Sequence, residues 1–247
     1  MSPTSPSLAG KVALITGSSS GIGEAIARHF ADHGASVLVN SVKSVEAGER
    51  IAAELPDACY VQASIADEGG PQRLVDAAVE RWGRLDVLVN NAGTTRTIAH
   101  GDLDAATLEV WREIFETNVF GTWEMTRLAV PHLKAQRGNV ISITSLAGLR
   151  PTGSSVPYAS SKAALNHLTA LLANALGPEV RFNAIAPGLV DTPWTADWDD
   201  IHAAVGAMAP MRRSATPADI VDLALVLATN TYLTGEVIAV DGGLGLR

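Results

Sequence analysis

Val12-Ala13-Leu14-Ile15-Thr16-Gly17-Ser18-Ser19-Ser20-Gly21-Ile22-Gly23 decides the fold of this chain. Its first four residues are a short, wholly apolar run, the pattern of a strand buried on both faces. Three glycines follow between positions 17 and 23, and then a helical pattern from Ile22 to His33 that Gly34 closes. A strand, a glycine-rich turn and a helix in that order let backbone approach a pyrophosphate lying on the helix N-terminus. A glycine-rich turn alone is common in loops that bind nothing, and it is the flanking elements that point to a dinucleotide. Gly17, Ser19, Ser20, Gly21, Ile22 and Gly23 are therefore candidate cofactor contacts.

The same alternation runs outward through the chain. Val37-Leu38-Val39 predicts a second strand, followed by a helix from Ser44 to Glu54. Ala58 to Val61, Leu85 to Val89, Val140 to Ile143, Arg181 to Ile185 and Val237 to Val240 predict five more strands. Helices are expected over Gln72 to Trp82 and Pro217 to Ala228, and a long one over Ala105 to Gln136, bent near Asn118 and Gly121. The expectation is a single α/β domain over residues 9–247, a doubly wound seven-stranded parallel sheet with helices on both faces. The Ser/Pro-rich stretch Met1 to Leu8 reads as a disordered tail rather than a signal peptide.

Composition narrows the function classes. The 247 residues are 47% apolar and 18% charged, an ordinary globular balance. A net charge of −8 with no basic stretch argues against a nucleic-acid binder. No apolar run approaches the roughly 18 residues of a membrane span. One cysteine, Cys59, excludes an internal disulfide, fits a reducing cytoplasm and reads as an inert strand residue. His29 and His33 are four apart on a predicted helix, but at its C-terminal end, where a cation suits the dipole, so no metal site is expected.

Pro157-Tyr158-Ala159-Ser160-Ser161-Lys162 carries the candidate chemistry. A proline before a run free of Gly and Pro through Leu176 predicts a helix starting near Tyr158. Tyr158 and Lys162 then lie one turn apart on one face. A phenol titrates near 10, so bringing it to neutrality needs roughly 4 kcal/mol of help from a nearby ammonium or helix dipole. A Tyr and a Lys at this spacing are usually a packed ring and a surface amine. Ser145, just past the fifth strand, is by default a capping residue, and Asn118 by default a solvent-facing one.

Taken together, Thr-Gly-x-x-x-Gly-Ile-Gly, Asn90-Asn91-Ala92-Gly93, Asn118, Ser145, Tyr-x-x-x-Lys, Pro187-Gly188 with Thr192, and Asp241-Gly242-Gly243 resemble the classical short-chain dehydrogenases/reductases. The resemblance spans about Gly10 to Gly243 and implies a Rossmann fold, hydride transfer between nicotinamide and a carbonyl or secondary alcohol, and Tyr158 as general acid/base. It implies that Ser145 donates to the substrate oxygen, that Lys162 lowers the tyrosine pKa and holds the ribose, and that Asn118 bends its helix and anchors a water joined to Lys162. Asn91, Ala92 and Gly93 would floor the adenosine side. Pro187, Gly188, Val190 and Thr192 would hold the nicotinamide end. Ser64 stands where the family usually carries an adenine-contacting Asp, with Ile65 beside it. Asn40-Ser41-Val42-Lys43 offers no acid to bind a ribose diol, so NADP(H) is favoured, with Ser41 and Lys43 toward the phosphate; Ser20, where many NADP users have Arg, keeps NAD(H) open.

The resemblance also makes residues 189–214 a substrate lid. Trp194 and Trp198 on it, with Leu146 and Leu149 opposite, are candidate substrate contacts, and Arg96 and Arg150 could join that wall. Likeness to 3-oxoacyl-acyl-carrier-protein reductases makes a carrier-bound thioester one substrate, with Arg137, Arg150, Arg212 and Arg213 as contacts for an acidic carrier or simply solvated charges. A homotetramer is implied. A non-catalytic NAD(P)-sensing regulator is the alternative class; such proteins typically lose the Tyr or the Lys, and both are present here.

Overall fold

A strand with both faces buried must pair its backbone groups with neighbouring strands, since water cannot reach them. In the computed structural model, which describes residues 7–247, the apolar runs do so as β1 (Val12–Ile15), β2 (Ser36–Ser41), β3 (Ala58–Gln62), β4 (Val87–Asn90), β5 (Asn139–Ile143), β6 (Arg181–Pro187) and β7 (Val237–Val240). They form one parallel sheet in the order β3-β2-β1-β4-β5-β6-β7. The winding direction reverses between β1 and β4, which opens a crevice at the carboxyl ends of those strands.

The helices are α1 (Gly21–Asp32), α2 (Val45–Glu54), α3 (Gly70–Trp82), α4 (Leu108–Phe115), α5 (Thr122–Gln136), α6 (Val156–Leu176), α7 (Asp199–Met208) and α8 (Ala218–Thr229). Strand alternation divides the core between two faces. Ala13 and Ile15 of β1 pack with Ile26 and Phe30 of α1 and Ala224 of α8. Val12 and Leu14 pack with Leu74 of α3 and Met125 and Leu133 of α5 on the other side. The sheet is doubly wound, as the sequence predicts.

Several boundaries shift by a residue or two from expectation, and four differences bear on the site or the body of the domain. Leu8 is 2% exposed and its N–H donates to His33 O at 2.8 Å, so it belongs to the body; positions 1–6 of the expected tail lie outside the described residues. The helix carrying Tyr158 starts earlier, at Val156, because Ser155 Oγ caps it by accepting from Tyr158 N. The long helix from Ala105 is instead α4, a π-helical turn over Glu116–Gly121, and α5. The extra residue of that turn puts Asn118 in the interior. Helix α7 lies inside the segment expected only as a lid. Cys59 sits half-buried on β3, and burial pushes its thiol up.

Asp86 locks the start of the central pair. It is 2% exposed and accepts from Val12 N at 2.9 Å, Arg84 Nε at 2.8 Å and Lys11 Nζ at 3.1 Å. Burial pushes its carboxyl up, but Arg84, the Val12 N–H and Lys11 together outweigh that and hold it below the usual carboxylate range. A depressed carboxyl stabilises the fold above its unfolded pKa and loses that contribution as pH falls through the folded value. Asp86→Ala should therefore cost about 2–4 kcal/mol in urea unfolding at pH 7, with the gap to wild type narrowing near pH 3. A loss under about 0.5 kcal/mol would mean that the group is effectively solvated.

Candidate active site

The crevice at the carboxyl ends of the strands is a cleft of about 1280 Å³. All the residues expected to touch cofactor or substrate line it except Gly23, Asn118, Leu149, Arg96 and Arg150.

At its first end, side chains satisfy the backbone where the strands stop. Thr16 Oγ1 accepts from the N–H groups of Asn91 and Ala92, both at 3.0 Å. Asn91 Nδ2 donates to Thr16 O and Gly17 O at 2.9 Å. Asn40 Oδ1 accepts from Gly17 N at 3.1 Å, and its Nδ2 donates to Val61 O and Ala63 O. Asn40 and Asn91 therefore act on the loop that a cofactor would meet, with their amides directed at the protein. Gly23 does the same by having no side chain: a Cβ there would lie 2.5 Å from Asn91 Nδ2 and Gly17 O. Helix α1 begins beside this loop, and its N-cap residue Ser20 makes no side-chain capping bond. Its first-turn N–H groups, held at the cleft with close-packed glycine backbone, are a donor set that fits a pyrophosphate. Lys43 is exposed on the cleft wall, and Ser64 Oγ accepts from Ala66 N at 3.2 Å.

Ser145, Tyr158 and Lys162 meet at the centre. Ser145 follows β5 and its Oγ accepts from Ala147 N at 3.1 Å. Lys162 is 3% exposed, donates from Nζ to Ile143 O at 3.0 Å and lies 5.7 Å from the Tyr158 ring centroid. The protein packed around the Tyr158 hydroxyl pushes the phenol up, and the Ser145 hydroxyl offsets part of that. Burial lowers Lys162 to about 8. Within the protein alone, desolvation pushes both groups toward their neutral forms, and the Ser145 hydroxyl rather than Lys162 is what acts against it on the phenol. Asn118 is buried, with Oδ1 accepting from Thr94 N at 2.7 Å and Nδ2 donating to Thr94 O and Ser161 Oγ at 3.0 Å. Both amide hydrogens are used in clamping the loop after β4 to α6.

The far end is walled by loops. Trp194 and Trp198 line it with Ile201 and Val205, which are four apart on one face of α7. Thr94 to His100 forms the facing wall and is stitched to the loop before α6, where Ile98 N donates to Ser154 O at 2.8 Å and the His100 ring bonds Gly153 O at 3.0 Å. Leu244 closes the cleft from the C-terminal end. None of Thr97, Ile98, His100, Leu244, Ile201 and Val205 was singled out from the sequence; the i, i+4 spacing of Ile201 and Val205 is the signal that could have found those two. Leu149 is 36% exposed and off the cleft. Arg96 is paired with Glu113, Arg150 Nε donates to Gly245 O, and Arg213 is paired with Asp219. Among the described residues no group of three or more His, Cys, Asp or Glu side chains could hold a metal. The rings of His29 and His33 lie 4.5 Å apart, tilted at 52°.

Comparison with known proteins agrees with this geometry. Residues 17–245 match the family model described as enoyl-(acyl carrier protein) reductase. A Streptomyces violaceoruber protein assigned as ketoacyl reductase 2 of the granaticin polyketide synthase is 54% identical over 239 residues, 95% of this chain and 96% of that one. The 3-ketoacyl-(acyl-carrier-protein) reductase from Brucella melitensis, complexed with NADH, superposes with a TM-score of 0.89 at 33% identity, covering 97% of this chain and all of that one (100%). The Pseudomonas aeruginosa RhlG/NADP active-site complex gives 0.90 at 34% identity, covering 98% and 100%. An NAD(P)-dependent oxidoreductase of carbonyls and alcohols is the class that fold, site and relatives define. The chain belongs to the classical short-chain dehydrogenase/reductase family.

The buried lysine makes a signature that separates function from stability. A lysine depressed to about 8 destabilises the fold fully below that pH, and the cost fades as pH rises toward its ordinary value of 10.5. Lys162→Met should abolish most turnover yet raise the melting temperature at pH 7 by about 2–6 °C, an advantage that shrinks at pH 10. A lower melting temperature at pH 7 would show that the bond to Ile143 O outweighs the desolvation.

Proposed function

We propose that the chain is a ketoreductase that favours NADP(H) and reduces an apolar or ring-bearing ketone of the polyketide type. The observation that carries this is the convergence of the Ser145, Tyr158 and Lys162 side chains at one point of a cleft whose far end is apolar. When bound, the nicotinamide supplies the hydride. The N-terminus of α1 and the Gly17 loop hold the pyrophosphate, and Pro187, Gly188, Val190 and Thr192 orient the nicotinamide end. Ser145 donates a hydrogen bond to the carbonyl oxygen, and Tyr158 gives its proton to that oxygen as negative charge develops there. A phenol pushed up by burial is protonated at neutral pH, which suits reduction better than oxidation. Lys162 holds the ribose hydroxyls, and Asn118 keeps the loop after β4 in place.

The cofactor preference is supported by the end of β2, where Ser41 and Lys43 face the cleft and no carboxylate repels a 2′-phosphate. The substrate class is supported by Trp194, Trp198, Ile201, Val205 and Leu244, and by the 54% identity to the granaticin protein. Residues 189–214 act as the lid, and residues 9–247 as one domain. A cytoplasmic setting fits the single free cysteine. No helix of the described residues is long and apolar enough to cross a membrane.

Assembly as a homotetramer is supported by Phe120 in the π-helical turn, Trp123 at the start of α5 and Leu171 on α6, all exposed apolar residues. Light scattering at micromolar concentration should return four chains, and a monomer overturns that part. Screening ketones, 3-oxoacyl thioesters and sugars with NADPH and with NADH tests the rest. Tyr158→Phe, folded by circular dichroism, should lower kcat at least about 100-fold on whichever substrate is found. Near-normal turnover would remove Tyr158 from the chemistry, and an NADH preference would overturn the cofactor choice.

A further inference from the structure

Tyr60 on β3 takes no part in the site described above, yet its hydroxyl lies 2.8 Å from the Ser41 hydroxyl at the carboxyl end of β2. The strand register explains the reach. Tyr60 is paired with Val39 and so shares a sheet face with both Val39 and Ser41, two residues further on. Helix α2 holds the ring in place: a Cβ on Gly48 would fall within the Tyr60 ring. Glycine inside a helix is unfavourable relative to alanine. Here the missing side chain is the space that the ring occupies. Ser41, only 5% exposed, lines the cleft beside Lys43.

We infer that Tyr60 is a positioning residue that fixes what Ser41 presents to the 2′ position of the adenosine ribose, and thereby biases the choice between NADP(H) and NAD(H). The inference rests on the placement of that ribose beside Ser41 under the proposed function. Of the two hydroxyls the phenol is the more acidic and therefore the better donor. With Tyr60 donating to Ser41 Oγ, the serine O–H is free to donate outward into the cleft, and donation to its oxygen strengthens it as a donor. A 2′-phosphate has only acceptors and gains most from this arrangement. A ribose hydroxyl can donate as well as accept, so it gains little from a fixed donor.

Titrating NADPH and NADH into the purified full-length chain, followed by nicotinamide fluorescence, tests this without a substrate. In Tyr60→Phe the Kd for NADPH should weaken about three- to tenfold, while that for NADH moves less than about twofold. Gly48→Ala, which displaces the ring, should shift the ratio of the two constants the same way. The ratio is the readout because general loosening of β2 would weaken both cofactors alike. Parallel weakening, or an unchanged ratio in Tyr60→Phe, overturns the role of Tyr60 and leaves the cofactor preference standing. Tighter binding of NADH by the wild-type chain overturns the preference, and the shift in ratio between wild type and Tyr60→Phe still judges Tyr60.

Discussion

A parallel sheet has to end somewhere, and at the carboxyl ends of β1, β2 and β4 the backbone leaves the ladder while still walled in by protein. Thr16, Asn40 and Asn91 resolve this by bonding the N–H and C=O groups of one another's loops. Buried backbone groups left unpaired would each cost on the order of 1–3 kcal/mol, so these three neutral side chains hold the glycine loop in one shape. That shape leaves the first-turn N–H groups of α1 aimed into the cleft. All three residues are uncharged, so the field at this end comes from the helix terminus and backbone dipoles. A chain of net charge −8 can thus still offer an anion a favourable site.

The reacting centre obeys a different balance. Spacing alone places Tyr158 and Lys162 one turn apart, and charge proximity then suggests an ammonium that lowers a phenol. In the folded chain the helix starts at Val156, Lys162 is buried while Tyr158 is half-buried on the cleft wall, and desolvation acts on each in the direction of its neutral form. Lys162 spends a hydrogen on Ile143 O, a backbone group of the central sheet, which fixes the amine more firmly than the phenol does. The pair is better described as a neutral acid held beside a weakly basic amine than as a ready-made ion pair.

What could be read from sequence tracks how local the determining forces are. Strands β1 and β7 matched their expected ends because an apolar run bounded by turn residues is a local signal. The expected bend near Asn118 and Gly121 falls on the π turn at Glu116–Gly121, but its π form was not legible, and neither was the approach of a distant loop, where a Cβ on Gly121 would lie 2.7 Å from Ile65 O. Asn118 was found through its place in a motif, but its clamp on Thr94 and Ser161 joins three separate segments and needs the fold. The part of Leu8 in the core is likewise set by His33, across a helix.

The two ends of the cleft differ in the same way. The cofactor end is made by strand termini, whose positions follow from the sheet, so nearly all of its residues could be named from motifs. The substrate end is made by loops that hold one another: Ile98 to Ser154, His100 to Gly153, and Arg150 to the turn at Gly245. Such contacts join residues up to 95 positions apart and leave no period to read. Arg96 and Arg150, which look like substrate ligands in a list of polar loop residues, are instead tied to Glu113 and Gly245. The cationic side chains near this mouth thus serve the scaffold, and Trp194, Trp198, Ile201, Val205 and Leu244 face a wall that carries Ile98 with Thr95, Thr97 and His100. Under the proposed function, shape and apolar area would carry recognition there, and the hydroxyls of Ser145 and Tyr158 would orient the carbonyl.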